Sequence, residues 1–227
     1  MNGMIILLVL GFAAVLLVPV AIPYLQNILF MASTVERVTP DEEEEVFRSS
    51  HSRINEDMIV EMGFEREGAY LVDLKMCKAV FAMWRHKHSA TYLAVYAIGS
   101  GLLTDKSDVD FVSVLSRDPN LGLTTGTTKD GHTNAKLPGD YMQTFSGLSI
   151  NAMFDQHVTG EAYIASKHQI DPQPVMMSGA ECLLSALRDN SRKKLLRPWL
   201  TLQVPYRFWI GRHINHNKTV EQIHGPL

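Results

Sequence analysis

The sequence predicts an α+β domain behind an N-terminal transmembrane helix, and three observations carry that reading. Met4–Leu25, "MIILLVLGFAAVLLVPVAIPYL", has no charged side chain and matches the ~20 residues that cross a bilayer as a helix. From Ala69 to Thr128, short runs rich in β-branched and aromatic residues alternate with turn formers, as the strands of an antiparallel meander do. On either side of that stretch the apolar residues recur at three- and four-residue intervals, the period of helices. The expected organisation is residues 1–35 as anchor and linker, 36–175 as the α+β domain, and 176–227 as a helical, basic and aromatic segment packing on the domain or on the membrane surface.

The apolar run is preceded by no Lys or Arg, and no side chain is charged before Glu36. A cleaved signal peptide would open on a basic region and hold a shorter apolar core, so a retained single-pass anchor fits better. Pro19 and Pro23 lie inside the run, where the carbonyls they free need other partners. The lipid bilayer is therefore an expected partner through residues 4–25. Arg37 and Arg48 lie on the C-terminal side of the run, and the positive-inside rule then places the main domain on the cytoplasmic side.

The elements run in this order. Thr39-Pro40-Asp41-Glu42 opens a helix in which Thr39 caps, Pro40 suits the first turn and Glu42 closes a capping box. Asp41–Glu45 set carboxylates at the positive end of its dipole. Ile54, Met58, Ile59 and Met62 form the stripe of a second helix over Asn55–Met62, ended by Gly63. About five strands come next, at Ala69–Leu74, Cys77–Trp84, Ala90–Ile98, Val109–Leu115 and Leu121–Thr128. The gaps between them are too short for crossover helices. Ser149–His168 returns to the helical period, weakened by Gly160, and Ser178–Asn190 makes another helix with Ser178 as cap.

Across 227 residues the chain is 46% apolar and 20% charged, with a net charge of −3. That balance gives no general pull toward nucleic acid, and no such partner is expected. The charge is uneven. Residues 36–73 hold twelve acidic and four basic side chains, and 188–218 hold eight basic and one acidic. The basic end suits an acidic partner, or an approach to the acidic stretch. Cys77 and Cys182 are too few for a disulfide scaffold and read as buried thiols.

Tyr96–Val114, "YAIGSGLLTDKSDVDFVSV", is the one stretch that hints at a chemistry. Its Gly99-Ser100 and its Asp108-x-Asp110 resemble the nucleotidyltransferase signature, whose Gly-Ser meets phosphate and whose aspartates hold divalent metal. The resemblance implies a metal-dependent nucleotidyl or phosphoryl transferase using Asp108 and Asp110. Only seven residues, Gly101–Ser107, separate Ser100 from Asp108. At ~1.5 Å of rise per residue, that spacer cannot run out along a helix and return. The competing reading is a hairpin, with Asp108 and Asp110 on the solvent face and Val109 and Phe111 inward. The family's third carboxylate has no identifiable match here; Asp140 and Asp155 are candidates.

The remaining polar motifs are weaker. His86 and His88 sit in a turn between Arg85 and Lys87, and nearby cations disfavour a bound metal. His213 and His216 have helical spacing, with His224 further on, and no neighbouring acid or thiol. His157 and Glu161 share a helix face, the spacing of a structural pair. "TTGTTKDG" at Thr124–Gly131 lacks the phosphate-loop pattern and reads as a Thr-rich strand entering a turn. No cofactor is called for.

Arg192, Lys193, Lys194 and Arg197 lie beside Trp199, Tyr206, Phe208 and Trp209. Rings at headgroup level with cations facing anionic lipid make a membrane interface; the same rings could instead complete a core. The pattern as a whole fits a membrane-anchored, non-catalytic interaction or binding domain. The transferase is the alternative, and a lipid- or small-ligand-binding domain a second one.

Overall fold

The computed structural model describes residues 21, 24–99, 102–117, 120–128, 137–171 and 177–226. Of the apolar run Met4–Leu25, only Ala21, Tyr24 and Leu25 are among them. Within the described residues no helix is long and apolar enough to cross a membrane. The observed architecture is α+β: a seven-stranded mixed sheet flanked by helices, with residues 24–31 helical ahead of it.

The strands are β1 (Thr34–Arg37), β2 (Phe64–Asp73), β3 (Lys78–His86), β4 (Thr91–Ile98), β5 (Asp108–Arg117), β6 (Asn120–Gly126) and β7 (Asp140–Thr144). They lie in sequence order across the sheet. Neighbours from β1 to β6 pair antiparallel, and β7 pairs parallel to β6. The meander expected from the short gaps is thus present, enlarged by one strand at each edge, and only its last pairing, β6 with β7, is parallel.

Those two strands lack the signal that marks the others. β1 has four residues, "TVER", and is a strand because Thr34–Arg37 sit in register with Asp73–Tyr70 of β2. In β7, the buried residues Gln143 and Thr144 are polar, so the usual apolar alternation is missing.

Helices α1 (Pro40–Ser50), α2 (Glu56–Glu61) and α3 (Ile150–His168) cover one face of the sheet. The start of α1 has the expected box: the Glu42 carboxylate accepts from the Thr39 backbone N–H at 3.0 Å and from its hydroxyl at 2.7 Å. Under these helices Val80, Ala82 and Trp84 of β3, Leu93 and Val95 of β4, and Val109 and Phe111 of β5 form the main core. Phe47 of α1 meets Trp84 edge-on at 4.9 Å. Burying each such ring contributes about 1.5–3 kcal/mol. Gly160 allows α3 to approach closely, since a Cβ there would lie 2.8 Å from Leu123 Cδ2 of β6.

On the opposite face α4 (Gly179–Leu184) packs Cys182 and Leu183 against Tyr70, Val72, Met83 and Tyr92. Phe30 and Val35 join that cluster. Ser178 caps α4, accepting the Glu181 N–H at 3.2 Å. The helix expected to end at Asn190 runs on through a π-helical stretch, Ser185–Asp189, into α5 (Asn190–Leu195). Then come a 3₁₀ stretch (Pro198–Gln203), α6 (Val204–Tyr206), a second π-helical stretch (Arg207–Gly211), α7 (Arg212–Asn215) and α8 (Val220–His224).

Among the described residues, side chains of the acidic stretch pair with nearby arginines: Arg37 with Glu43, Arg66 with Glu44 and Glu56, Arg85 with Glu65.

Candidate functional site

The C-terminal segment carries the largest exposed apolar side chains beside cations. Leu200 and Val204 pack on Leu137 and root the segment. Around them Leu196 is 71% exposed, Trp199 58% and Trp209 56%, with Tyr206, Ile210 and Ile214 also exposed. Arg192, Lys193 and Arg197 are exposed, whereas Lys194 is only partly so. Burial lowers the Lys194 ammonium below its ordinary value, partly opposed by Asp140. Burial likewise lowers the nearby Arg207 guanidinium. At these exposures the rings of Trp199, Tyr206 and Trp209 do not complete the core.

Asp108 and Asp110 both lie on the sheet face opposite Val109 and Phe111, as alternation requires. Strands β4 and β5 form the hairpin, with Tyr96 opposite Asp108. The two aspartates nonetheless differ. Asp110 accepts from the Tyr96 hydroxyl at 3.1 Å and lies against Gly126, where a Cβ would come within 2.4 Å of its Oδ1. Burial pushes the Tyr96 phenol well up, and Asp110 adds to that. Tyr96 also stacks on Phe81 at 5.0 Å. Asp108 instead lines a cleft of about 470 Å³ at one end of the sheet, with Arg53, Asp105, Lys106, Thr127 and Thr128. His216 also lines it, its Nδ1 being 2.9 Å from Thr144 Oγ1. Ser100 lies outside the described residues, and Gly99 comes directly after β4 with a left-handed φ of 77°. Among the described residues no group of three or more His, Cys, Asp or Glu could hold a metal ion.

A second polar constellation lies inside the main core. His157 of α3 is fully buried. Its Nε2 is 2.7 Å from Ser113 Oγ, and its Nδ1 is 2.7 Å from Thr125 Oγ1. Glu161, one helical turn on, is 3.4 Å from Nε2. Ser113 donates to Thr91 at 2.9 Å, and Thr91 donates to Glu161 at 3.1 Å. Gln143 Nε2 donates to Thr125 at 3.0 Å, while Gln143 Oε1 accepts the Val220 N–H at 3.0 Å. Counting donors, Ser113 gives its proton to Thr91 and must receive one from His157 Nε2. Nδ1 then accepts from Thr125. Burial alone would raise the Glu161 carboxyl, but the His157 imidazole and the hydrogen bond from Thr91 hold it below its ordinary value.

The Ser–His contact is that of a nucleophile and its base. The rest of the arrangement is not. Ser113 is 1% exposed, the Nδ1 partner is a hydroxyl rather than a carboxylate, and Glu161 sits on the Nε2 side. The constellation ties β4, β5, β6, β7, α3 and α8 together. The sequence offered only its His157–Glu161 pair; the missed signal was polar residues at inward positions, since Ser113 continues the inward row of Val109 and Phe111.

The other candidates are held in local contacts. His86 Nδ1 is 2.8 Å from Ser89 Oγ, and the His86 and His88 rings meet edge-on at 6.0 Å. Both cysteines are free, and burial pushes the Cys182 thiol up to about 12, far from a reactive thiolate. Comparison with protein-family models, curated proteins and solved structures finds no match to this chain.

Proposed function

We propose that this chain is a membrane-tethered, non-catalytic binding domain whose C-terminal segment lies on an anionic lipid surface. The observation that carries it is the exposure of Trp199, Tyr206 and Trp209, with Leu196 and Ile210, beside the exposed cations Arg192, Lys193 and Arg197. Rings of this type prefer the headgroup level, and each nearby cation adds about 1 kcal/mol of attraction to an anionic leaflet. The apolar run Met4–Leu25 supplies the tether in this reading. It continues into helical residues 24–31, where Tyr24, Leu25, Ile28 and Met31 are exposed.

The test uses the full chain in nanodiscs containing brominated lipid. The expected result is quenching of Trp199 and Trp209 fluorescence in anionic but not in neutral discs, with buried Trp84 as the unquenched reference. Quenching should fall in a Trp199→Phe/Trp209→Phe variant. Equal quenching in both lipids, or none in either, would remove the lipid-surface role. Extraction by alkaline carbonate tests the anchor separately.

A further inference from the structure

We infer that the cleft at the end of the sheet is a binding site for a phosphorylated polyol, a small molecule bearing a phosphate next to free hydroxyls. Residues of two sequence motifs meet there: Asp108 from the Asp-x-Asp, and Thr127 and Thr128 from the Thr-rich stretch. Its volume, about 470 Å³, lies within the usual range of small-molecule sites.

The walls are fixed before any ligand arrives. Arg53 Nε donates to the Ser107 carbonyl at 3.1 Å, which holds the guanidinium at the cleft. Ser107 Oγ accepts the Thr104 N–H at 2.8 Å, and the Ser107 N–H returns to the Thr104 carbonyl at 3.0 Å, closing the turn that carries Asp105 and Lys106. The Lys106 N–H donates to Thr104 Oγ1 at 3.2 Å. Thr127 is pinned to Val109 through both its backbone N–H and its hydroxyl oxygen, at 3.1 Å each, which leaves its hydroxyl proton to donate.

The lining chooses the chemistry. Arg53, Lys106 and the threonine hydroxyls are donors of the kind that hold phosphate oxygens. Asp105 and Asp108 are acceptors when ionised, and they repel a bare anion. A ligand that is anionic at one end and rich in hydroxyl donors at the other satisfies both sets; inorganic phosphate or an uncharged polyol satisfies one. Such a ligand could arrive free or as a phosphoinositol headgroup. His216 is the one residue of the C-terminal segment that lines the cleft, and none of the rings or cations proposed to face lipid does, so the site is tested independently of the membrane reading.

Calorimetry on the full chain in mild detergent tests it, with myo-inositol 1-phosphate as probe and myo-inositol and inorganic phosphate as comparisons. The phosphorylated polyol should bind at least about tenfold more tightly than either comparison. Lys106→Gln should weaken it by about tenfold. Asp105→Asn should weaken the polyol phosphate while strengthening inorganic phosphate, because a repelling charge is removed with the acceptor. That crossed response is not expected of a merely structural role. Absence of binding, or binding unchanged in both variants, overturns the assignment. Anionic nanodiscs of equal charge separate the two sources. If phosphatidylinositol but not phosphatidylserine blocks the probe, the ligand is the headgroup; if neither blocks it, the ligand is soluble.

Discussion

Replacing His157 by leucine tests whether the buried polar constellation holds the fold. The substitution roughly conserves volume and removes two hydrogen bonds of 2.7 Å, to Ser113 and Thr125, together with the 3.4 Å contact to Glu161. Ser113 keeps Thr91 as an acceptor, so it loses only a donor. Thr125 still accepts from Gln143, but its own proton is left without an acceptor at a fully buried site. Glu161 keeps Thr91 and loses the imidazole. An orphaned buried donor and an under-solvated carboxylate cost about 1–3 kcal/mol each, so the loss should be about 3–5 kcal/mol, a large part of a typical domain's stability. Urea unfolding of the full chain in mild detergent, monitored by circular dichroism, measures it. Adding Thr125→Val removes the orphaned hydroxyl, so the double variant should recover about 1 kcal/mol relative to additivity. His157→Gln retains a donor and an acceptor and should fall between. A loss below about 1 kcal/mol for His157→Leu, or strict additivity with Thr125→Val, would refute the donor assignment.

The same geometry sets three further outcomes. Gly126→Ala places a Cβ 2.4 Å from Asp110 Oδ1 and should cost about 1–3 kcal/mol in urea unfolding, with part recovered by adding Asp110→Ala. Gly160→Ala should destabilise despite its better helix propensity, because the new methyl meets Leu123 at 2.8 Å and Gln143 at 3.2 Å. Glu56 is held down to about 2, first by its hydrogen bond from Arg66 and further by His51, against an ordinary 4.5. A depressed carboxyl stabilises above its unfolded pKa, so this contribution is complete above pH 4.5 and lost as pH falls toward 2. Thermal melting of Glu56→Gln should be flatter than wild type across that window; parallel curves would deny the ion pair its role.

What could be read in the sequence depended on whether a residue's neighbours in the chain decide its structure. The cap at Thr39, the stop at Gly63 and the central strands obey local rules, and they sit within a few residues of their expected places. β1 is held only by its partner β2, so its four residues carry no period of their own. Gly160 looked like a defect in a helix and proves to be where α3 touches β6. The candidate sites were harder still, because they join distant segments. Arg53, Lys106, Asp108, Thr127 and His216 come together only once the sheet exists, and no spacing rule links them. The basic and aromatic segment was legible as composition; that its rings face outward depended on Leu200 and Val204 taking the buried places beside Leu137.

Phe30 and Val35, just after the apolar run, share an apolar cluster with Cys182 and Leu183 of α4, and α4 leads directly into the basic segment. A short patch of exposed rings and three exposed cations would bind a bilayer weakly alone, at about 1 kcal/mol per cation. With the proposed tether, the second contact would be intramolecular and work at a high effective concentration, and the segment would orient the domain rather than retain it. Neutralising Arg192, Lys193 and Arg197 to glutamine should therefore leave carbonate-resistant membrane association intact while abolishing quenching of Trp199 and Trp209 in anionic discs. Loss of membrane association in that triple variant would mean that the basic segment, not Met4–Leu25, holds the protein at the bilayer, and the proposed division between tether and orienting surface would be wrong.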